Sequence, residues 1–225
     1  EQQQQFDADA SHELRTPLAV IQSQIELALK IERTPDEYVT ALKMCAAAED
    51  RLSELVESLL TLARLDSGEQ QTEQFPVRLD LLAAKCTDLM RPIAEHAQVD
   101  LNAKVIPVSI LGNPQQLERA ILNLIKNGAT FNRRGGSVHV AVAATDSNAT
   151  MTIRDTGIGI SKEDLVHVKK RFFRVDKARS REHGGSGLGL SIAEQIIEAH
   201  HGPIQISSDL GDGTTVAIRF NMYDG

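Results

Sequence analysis

Asp155-Thr156-Gly157-Ile158-Gly159-Ile160 and Gly184-Gly185-Ser186-Gly187-Leu188-Gly189-Leu190 are the stretches whose reading decides the fold. The first closes a β-branched run at 150–155 and the second opens an apolar run with helical spacing at 188–200. Glycines placed between a strand and a helix let backbone amides come close to phosphate oxygens, and the N-terminus of the following helix adds positive potential. The chain contains no Gly-Lys pair, which excludes a P-loop, and it lacks the His-Arg-Asp and Asp-Phe-Gly signatures of protein kinases. A nucleotide site built on these glycines is therefore of another type.

Outward from the glycines, β-branched or alternating runs predict strands at 99–105, 137–144, 150–155, 204–208 and 214–220. Helical runs lie between them at 79–96, 114–129, 162–170 and 188–200. Strands and helices without strict alternation point to an α+β two-layer sandwich, with helices on one face of a mixed sheet. The half before Gly68, the first glycine, reads as helix almost throughout. Leu14, Leu18, Ile21, Ile25 and Ala28 mark one amphipathic seam, and Tyr38, Leu42, Cys45, Glu49, Leu52, Val56, Leu59 and Ala63 mark a second. Thr34-Pro35-Asp36 is the turn between them, with proline placed to open a helix. A two-helix hairpin cannot cover so wide an apolar stripe, so a homodimeric four-helix bundle is expected. The expected division is residues 1–67 as a dimerisation hairpin, 68–75 as a linker and 76–225 as the second domain.

The formal net charge of −7 opposes nucleic-acid binding, which needs a basic face. No apolar run approaches the roughly 20 residues that cross a bilayer, so no membrane contact is expected of this chain. It opens within a polar helix, as a piece of a longer protein would, and a cytoplasmic location is expected. Cys45 and Cys86 lie in helical patterns without disulfide or zinc spacing and read as buried thiols.

Two constellations carry chemistry beyond the glycines. In Ser11-His12-Glu13-Leu14-Arg15-Thr16-Pro17, the leucine faces the seam, so His12 and Glu13 are expected on the exposed flank. A neutral imidazole is a competent nucleophile, and an adjacent carboxylate can accept its proton. Pro17 removes a helical hydrogen bond one turn beyond the histidine. In the second, Asn123 and Asn127 stand four apart on one helix face among Ile121, Leu122, Leu124 and Ile125. Amides emerging there need partners, and Mg²⁺, which takes few protein ligands plus phosphate oxygens, would supply one. The other reading is a helix-to-loop hydrogen-bond pair.

The ordered set of His-Glu-x-x-Thr-Pro, paired asparagines, Asp-x-Gly-x-Gly, a Phe172-Phe173 pair and Gly-x-Gly-x-Gly resembles the sensor histidine kinases of bacterial two-component systems. Residues 11–17 look like their H box, 123–131 the N box, 155–160 the first glycine box, 172–174 the F box, 185–190 the second glycine box and 211–215 a third. The resemblance implies a phosphotransfer bundle followed by an ATP-binding domain of the kind shared with gyrase and chaperone ATPases. It implies that His12 is the phospho-acceptor, Glu13 its general base, and Thr16 the group that positions water for dephosphorylating the partner, a response-regulator receiver domain. Asn127 would ligate Mg²⁺, with Asn123 supporting the phosphate side. Asp155 would accept from the adenine amino group of ATP, with Gly157 and Gly159 lining the base pocket. Gly185, Gly187 and Gly189 would cradle the phosphates, Arg174 would meet the γ-phosphate, and Thr215 in the third glycine box would complete the cofactor-binding set. Residues 175–186 would form a mobile lid.

The chain departs from the family at Lys169, where a phenylalanine is usual, and at Thr130, where many members carry a basic residue. Two rival readings stand beside this one: a gyrase- or chaperone-like ATPase, and a phosphatase-biased signalling module, to which Lys169 and Thr130 point. Of the remaining histidines, His200 and His201 are expected at a helix end, where positive charge is mildly favourable.

Overall fold

A computed structural model describes residues 2–67, 73–145, 147–175 and 185–223. Gly68 of the expected linker and most of the expected lid, with His183 and Gly184, lie outside the described residues. The chain forms two compact units, Glu1–Arg64 and Leu65–Gly225.

The first unit is a helical hairpin of α1 (Gln2–Lys30) and α2 (Pro35–Asp66). Thr34 and Glu37 close the turn as a capping box. The Glu37 amide donates to Thr34 Oγ1 at 3.3 Å, while Glu37 Oε2 accepts from the Thr34 amide at 2.8 Å. That second contact holds the Glu37 carboxyl below its ordinary value. α1 runs unbroken through Pro17, which is buried. The buried line of α2 is Ala41, Ala48, Leu55 and Leu62, a seven-residue repeat suited to helix-on-helix packing. This shifts the phase of the expected seams. Within one chain Leu18, Ile25, Tyr38, Leu42 and Val56 are exposed, joined by Leu60. Periodicity identified an apolar stripe but could not say which edge meets the chain's own second helix. Cys45 is only half-buried, whereas Cys86 in the second unit is fully buried and its thiol is pushed up to about 12 by loss of solvent.

The second unit has β1 (Phe75–Arg78), α3 (Leu79–His96), β2 (Asp100–Val105), β3 (Ser109–Gly112), α4 (Pro114–Thr130), β4 (Ser137–Ala144) and β5 (Asn148–Asp155). α5 (Lys162–Leu165), α6 (Gly189–Ala199), β6 (Ile204–Asp209) and β7 (Gly213–Asn221) follow. Five strands form one sheet in the order β2-β4-β5-β7-β6, parallel only between β2 and β4. Val138, Val140 and Val142 of β4, Ala149, Met151 and Ile153 of β5, and Ile218 and Phe220 of β7 are buried on alternate positions. That alternation gives the sheet one apolar face, against which α3, α4 and α6 pack. β1 and β3 pair in a small separate sheet that the sequence reading missed. The helix expected at 162–170 is α-helical only to Leu165. It then tightens into turns, with the His167 amide bonding back to Asp164 O at 2.7 Å.

Candidate functional site

Asp155 continues the alternation of Ala149, Met151 and Ile153, so its side chain leaves the end of β5 on the helix-covered face. The helix above it supplies room: a Cβ at Gly128 of α4 would lie 3.5 Å from the Asp155 Cβ. Asp155 Oδ1 accepts from the amides of Gly157 at 2.8 Å and Thr214 at 3.1 Å. Both donors converge on one oxygen, which fixes the carboxylate and turns Oδ2 away from them. Burial raises the proton affinity of this carboxyl, and the two amides oppose that rise only in part.

The surrounding loops dock through backbone. A Cβ at Gly157 would collide with the Phe131 carbonyl oxygen, and the Ile158 amide donates to that same oxygen at 3.1 Å. Gly159 lies against the Asp209 carbonyl, and Gly213 lies against the carbonyl of Asp155 itself. Thr215 sits in β7 opposite Arg154 and Ser207, so it is the Thr214 amide that reaches Asp155. Such an amide contact leaves no mark on residue type, and only its place in the third glycine cluster hinted at it.

α4 starts at Asn113, whose side chain accepts from the Gln116 amide at 3.0 Å, with Pro114 next. Its buried face is Leu117, Ala120, Ile121, Leu124, Ile125, Gly128 and Ala129, which leaves Asn123 and Asn127 half-buried on a different face. The Asn123 amide group stands 3.7 Å from where a Cβ at Gly189 would be, which brings the asparagine pair beside the second glycine cluster. Gly187 takes φ 75°, with a Cβ there 2.9 Å from Phe172 Cα, and its carbonyl accepts from the Phe172 amide at 3.0 Å. Phe172 itself has φ 61°, an uncommon conformation for a bulky residue. A Cβ at Gly185 would meet nothing within 4 Å among the described residues. Arg174 is half-buried next to the phenylalanine pair. Lys169 donates to Glu194 of α6 at 2.6 Å, so an ion pair ties this segment to α6 at the position where the sequence departs from the family.

His200 departs from the expectation of a charged helix end. It is buried, its Nδ1 lies 2.7 Å from the Ile196 carbonyl, and its Nε2 accepts from the Asn113 amide at 2.9 Å. This pattern needs the neutral ring, and burial lowers its proton affinity accordingly.

In the hairpin unit His12 and Thr16 are exposed, and the Thr16 hydroxyl donates to the His12 carbonyl at 3.2 Å. A groove of about 520 Å³ beside them is lined by Arg15, Thr16, Ala19, Val20 and Met44 among others. Glu13 is not on the exposed flank. Its side chain is 25% exposed and meets Arg51 of α2 at 3.1 Å. Among the described residues no three His, Cys, Asp or Glu side chains cluster as a metal site, and no helix is long and apolar enough to cross a membrane.

Residues 2–68 match the His Kinase A (phospho-acceptor) domain, and residues 112–224 match the histidine kinase-, DNA gyrase B- and HSP90-like ATPase family. The sensor histidine kinase RppB of Synechocystis is 37% identical over 99% of this chain and 50% of its own length. ArlS of Staphylococcus aureus is 35% identical over 97% of this chain and 49% of its own. The chain thus spans about half the length of the curated relatives it matches. In fold it is similar to the histidine kinase AdeS of Acinetobacter baumannii, with a TM-score of 0.74 at 22% identity, covering 95% of this chain and 98% of that one. It is also similar to the histidine kinase ThkA solved in complex with response regulator protein TrrA, with a TM-score of 0.75 at 17% identity over 97% of this chain and 61% of that one. A phospho-acceptor hairpin followed by an ATP-binding α+β layer, matched over both parts, makes this chain a member of the histidine kinase family.

Proposed function

We propose that this chain phosphorylates itself on His12 from ATP and passes the phosphoryl group to an aspartate of a response-regulator receiver domain. The observation that carries the reading is an exposed His12 on a helical hairpin in the same chain as the ATP-binding layer. A gyrase- or chaperone-like ATPase has no use for such a histidine. Asp155 offers Oδ2 to the adenine amino group while two amides hold Oδ1, and Gly157 and Gly159 bring main chain up to the base. Gly185, Gly187 and Gly189 present amides at the start of α6 to the phosphates, with Asn123 beside them and Arg174 toward the γ-phosphate.

His12 then attacks the γ-phosphorus. The N–P bond forms, the bond to the ADP oxygen breaks, and the imidazole proton passes to Glu13. The donor set fits Mg²⁺, with the Asn127 amide oxygen as the protein ligand and phosphate oxygens and water as the rest. When bound, the ion neutralises charge that develops on the transferring group. Thr16, one turn beyond His12, orients water for hydrolysis of the receiver's phospho-aspartate. Exposed Leu18, Ile25, Leu42, Val56 and Leu60 supply the face on which a second copy completes a four-helix bundle. ATP as donor places the reaction in the cytoplasm, beneath a membrane-anchored sensing part.

Incubation with γ-labelled ATP tests the reading. Native protein should acquire an acid-labile, base-stable phosphoryl group. His12→Ala should acquire none while binding ATP with unchanged affinity, and labelling of that variant would overturn the assignment.

A further inference from the structure

Glu13 and Arg51 stand on opposite helices of the hairpin, 38 residues apart, and meet through Oε2 and Nη2 at 3.1 Å. Both side chains are about three-quarters buried, at 25% and 22% exposure, so solvent screens the pair less than a surface contact. Two features of α1 give that contact leverage. Side chains at adjacent helical positions point about 100° apart, so a carboxylate held toward α2 is turned away from an imidazole on the exposed face. In addition, Pro17 lacks the amide that would bond to the Glu13 carbonyl, so the helical turn carrying Glu13 is short of one of its own restraints.

We infer that Arg51 is a restraining residue, which holds the Glu13 carboxylate against α2 and keeps it from His12 until the ATP-bearing domain engages. Glu13 has two positions in this scheme, paired with Arg51 or swung to the imidazole, and only the second can take the proton when the N–P bond forms. Arg51 touches neither ATP nor the reacting atoms; it acts through Glu13.

The inference rests on Glu13 being the base, and the test separates the two. Autophosphorylation of the full chain is followed at saturating ATP for native protein, Arg51→Gln, Arg51→Lys, Glu13→Gln and the Glu13→Gln/Arg51→Gln double variant. Arg51→Gln should raise the maximal rate by about two- to five-fold, the range that a partly exposed ion pair can hold back. The KM for ATP should be unchanged, Arg51→Lys should stay near native, and the double variant should label as slowly as Glu13→Gln alone. A rate at or below native in Arg51→Gln overturns the inference, as does a rise that survives in the double variant. Arg51→Met, similar in length, replaces the glutamine variant if helicity or melting shows that packing has suffered. Native-rate labelling by Glu13→Gln would instead remove the base assignment itself.

Discussion

Replacing Asp155 by asparagine changes one atom, and the structure dictates which. The amides of Gly157 and Thr214 both donate to Oδ1, at 2.8 and 3.1 Å, so the asparagine must keep its oxygen there. The reverse orientation would set an NH₂ against two N–H donors, with a penalty of about 1–3 kcal/mol for each buried donor left unsatisfied. The new NH₂ therefore occupies the Oδ2 position and, in the role proposed for Asp155, would face the adenine amino group donor to donor. Loss of a hydrogen bond to a charged acceptor is worth about 1.5–3 kcal/mol, or roughly ten-fold to more than a hundred-fold in affinity. The fold itself should gain. Burial raises the folded-state pKa of Asp155, so its ionisation at neutral pH works against folding, and a neutral amide removes that penalty. Asp155→Asn should thus melt at or above the native temperature without nucleotide and bind ATP at least ten-fold more weakly by calorimetry. Its preference for ATP over GTP should narrow, because the guanine carbonyl can accept from the new NH₂. Equal dissociation constants for ATP in the two proteins would refute this role.

Two further outcomes are expected. Thr16→Ala should preserve labelling of His12 while slowing dephosphorylation of the receiver several-fold; equal loss of both reactions would reduce Thr16 to a helix-geometry role next to Pro17. His200, with its proton affinity lowered by burial, contributes stability that is complete above the ordinary histidine value and is lost as pH falls through its folded value. The melting temperature should therefore fall more steeply between pH 7 and 5 in native protein than in His200→Gln, and identical slopes would show that the ring does not titrate in that range.

The elements legible in the sequence are those specified locally. The five strands of the main sheet carry their own alternation, and α3, α4 and α6 carry broad apolar faces. β1 and β3 escaped because each has four residues and is defined only by pairing 75–78 with 109–112. The run at 162–170 read as helix, yet β-branched Val166 and Val168 favour leaving it, and the chain tightens into turns there. In the candidate site, glycine spacing and the asparagine pair led to residues that the fold gathers around Asp155 and the start of α6. Contacts made by main chain, such as the Thr214 amide, have no residue signature. Arg51 was equally silent, since a lone arginine in a charged helix reveals a partner only when α1 lies beside it. His200 was misjudged because a helix end suggests solvent, whereas this one is roofed by the start of α4.

The close backbone approach around Asp155 bears on resistance to inhibitors. Gly157 and Gly213 cannot gain a Cβ without striking the carbonyls of Phe131 and Asp155, so a single side-chain change at either glycine cannot reshape the backbone docking around Asp155. A compound that donates to Asp155 Oδ2 and lies flat on those glycines would contact surfaces that mutation cannot easily move. Replacing Asp155 would defeat such a compound, but in the proposed role it should also weaken the natural nucleotide. Selection against such a compound would then favour substitutions away from these glycines.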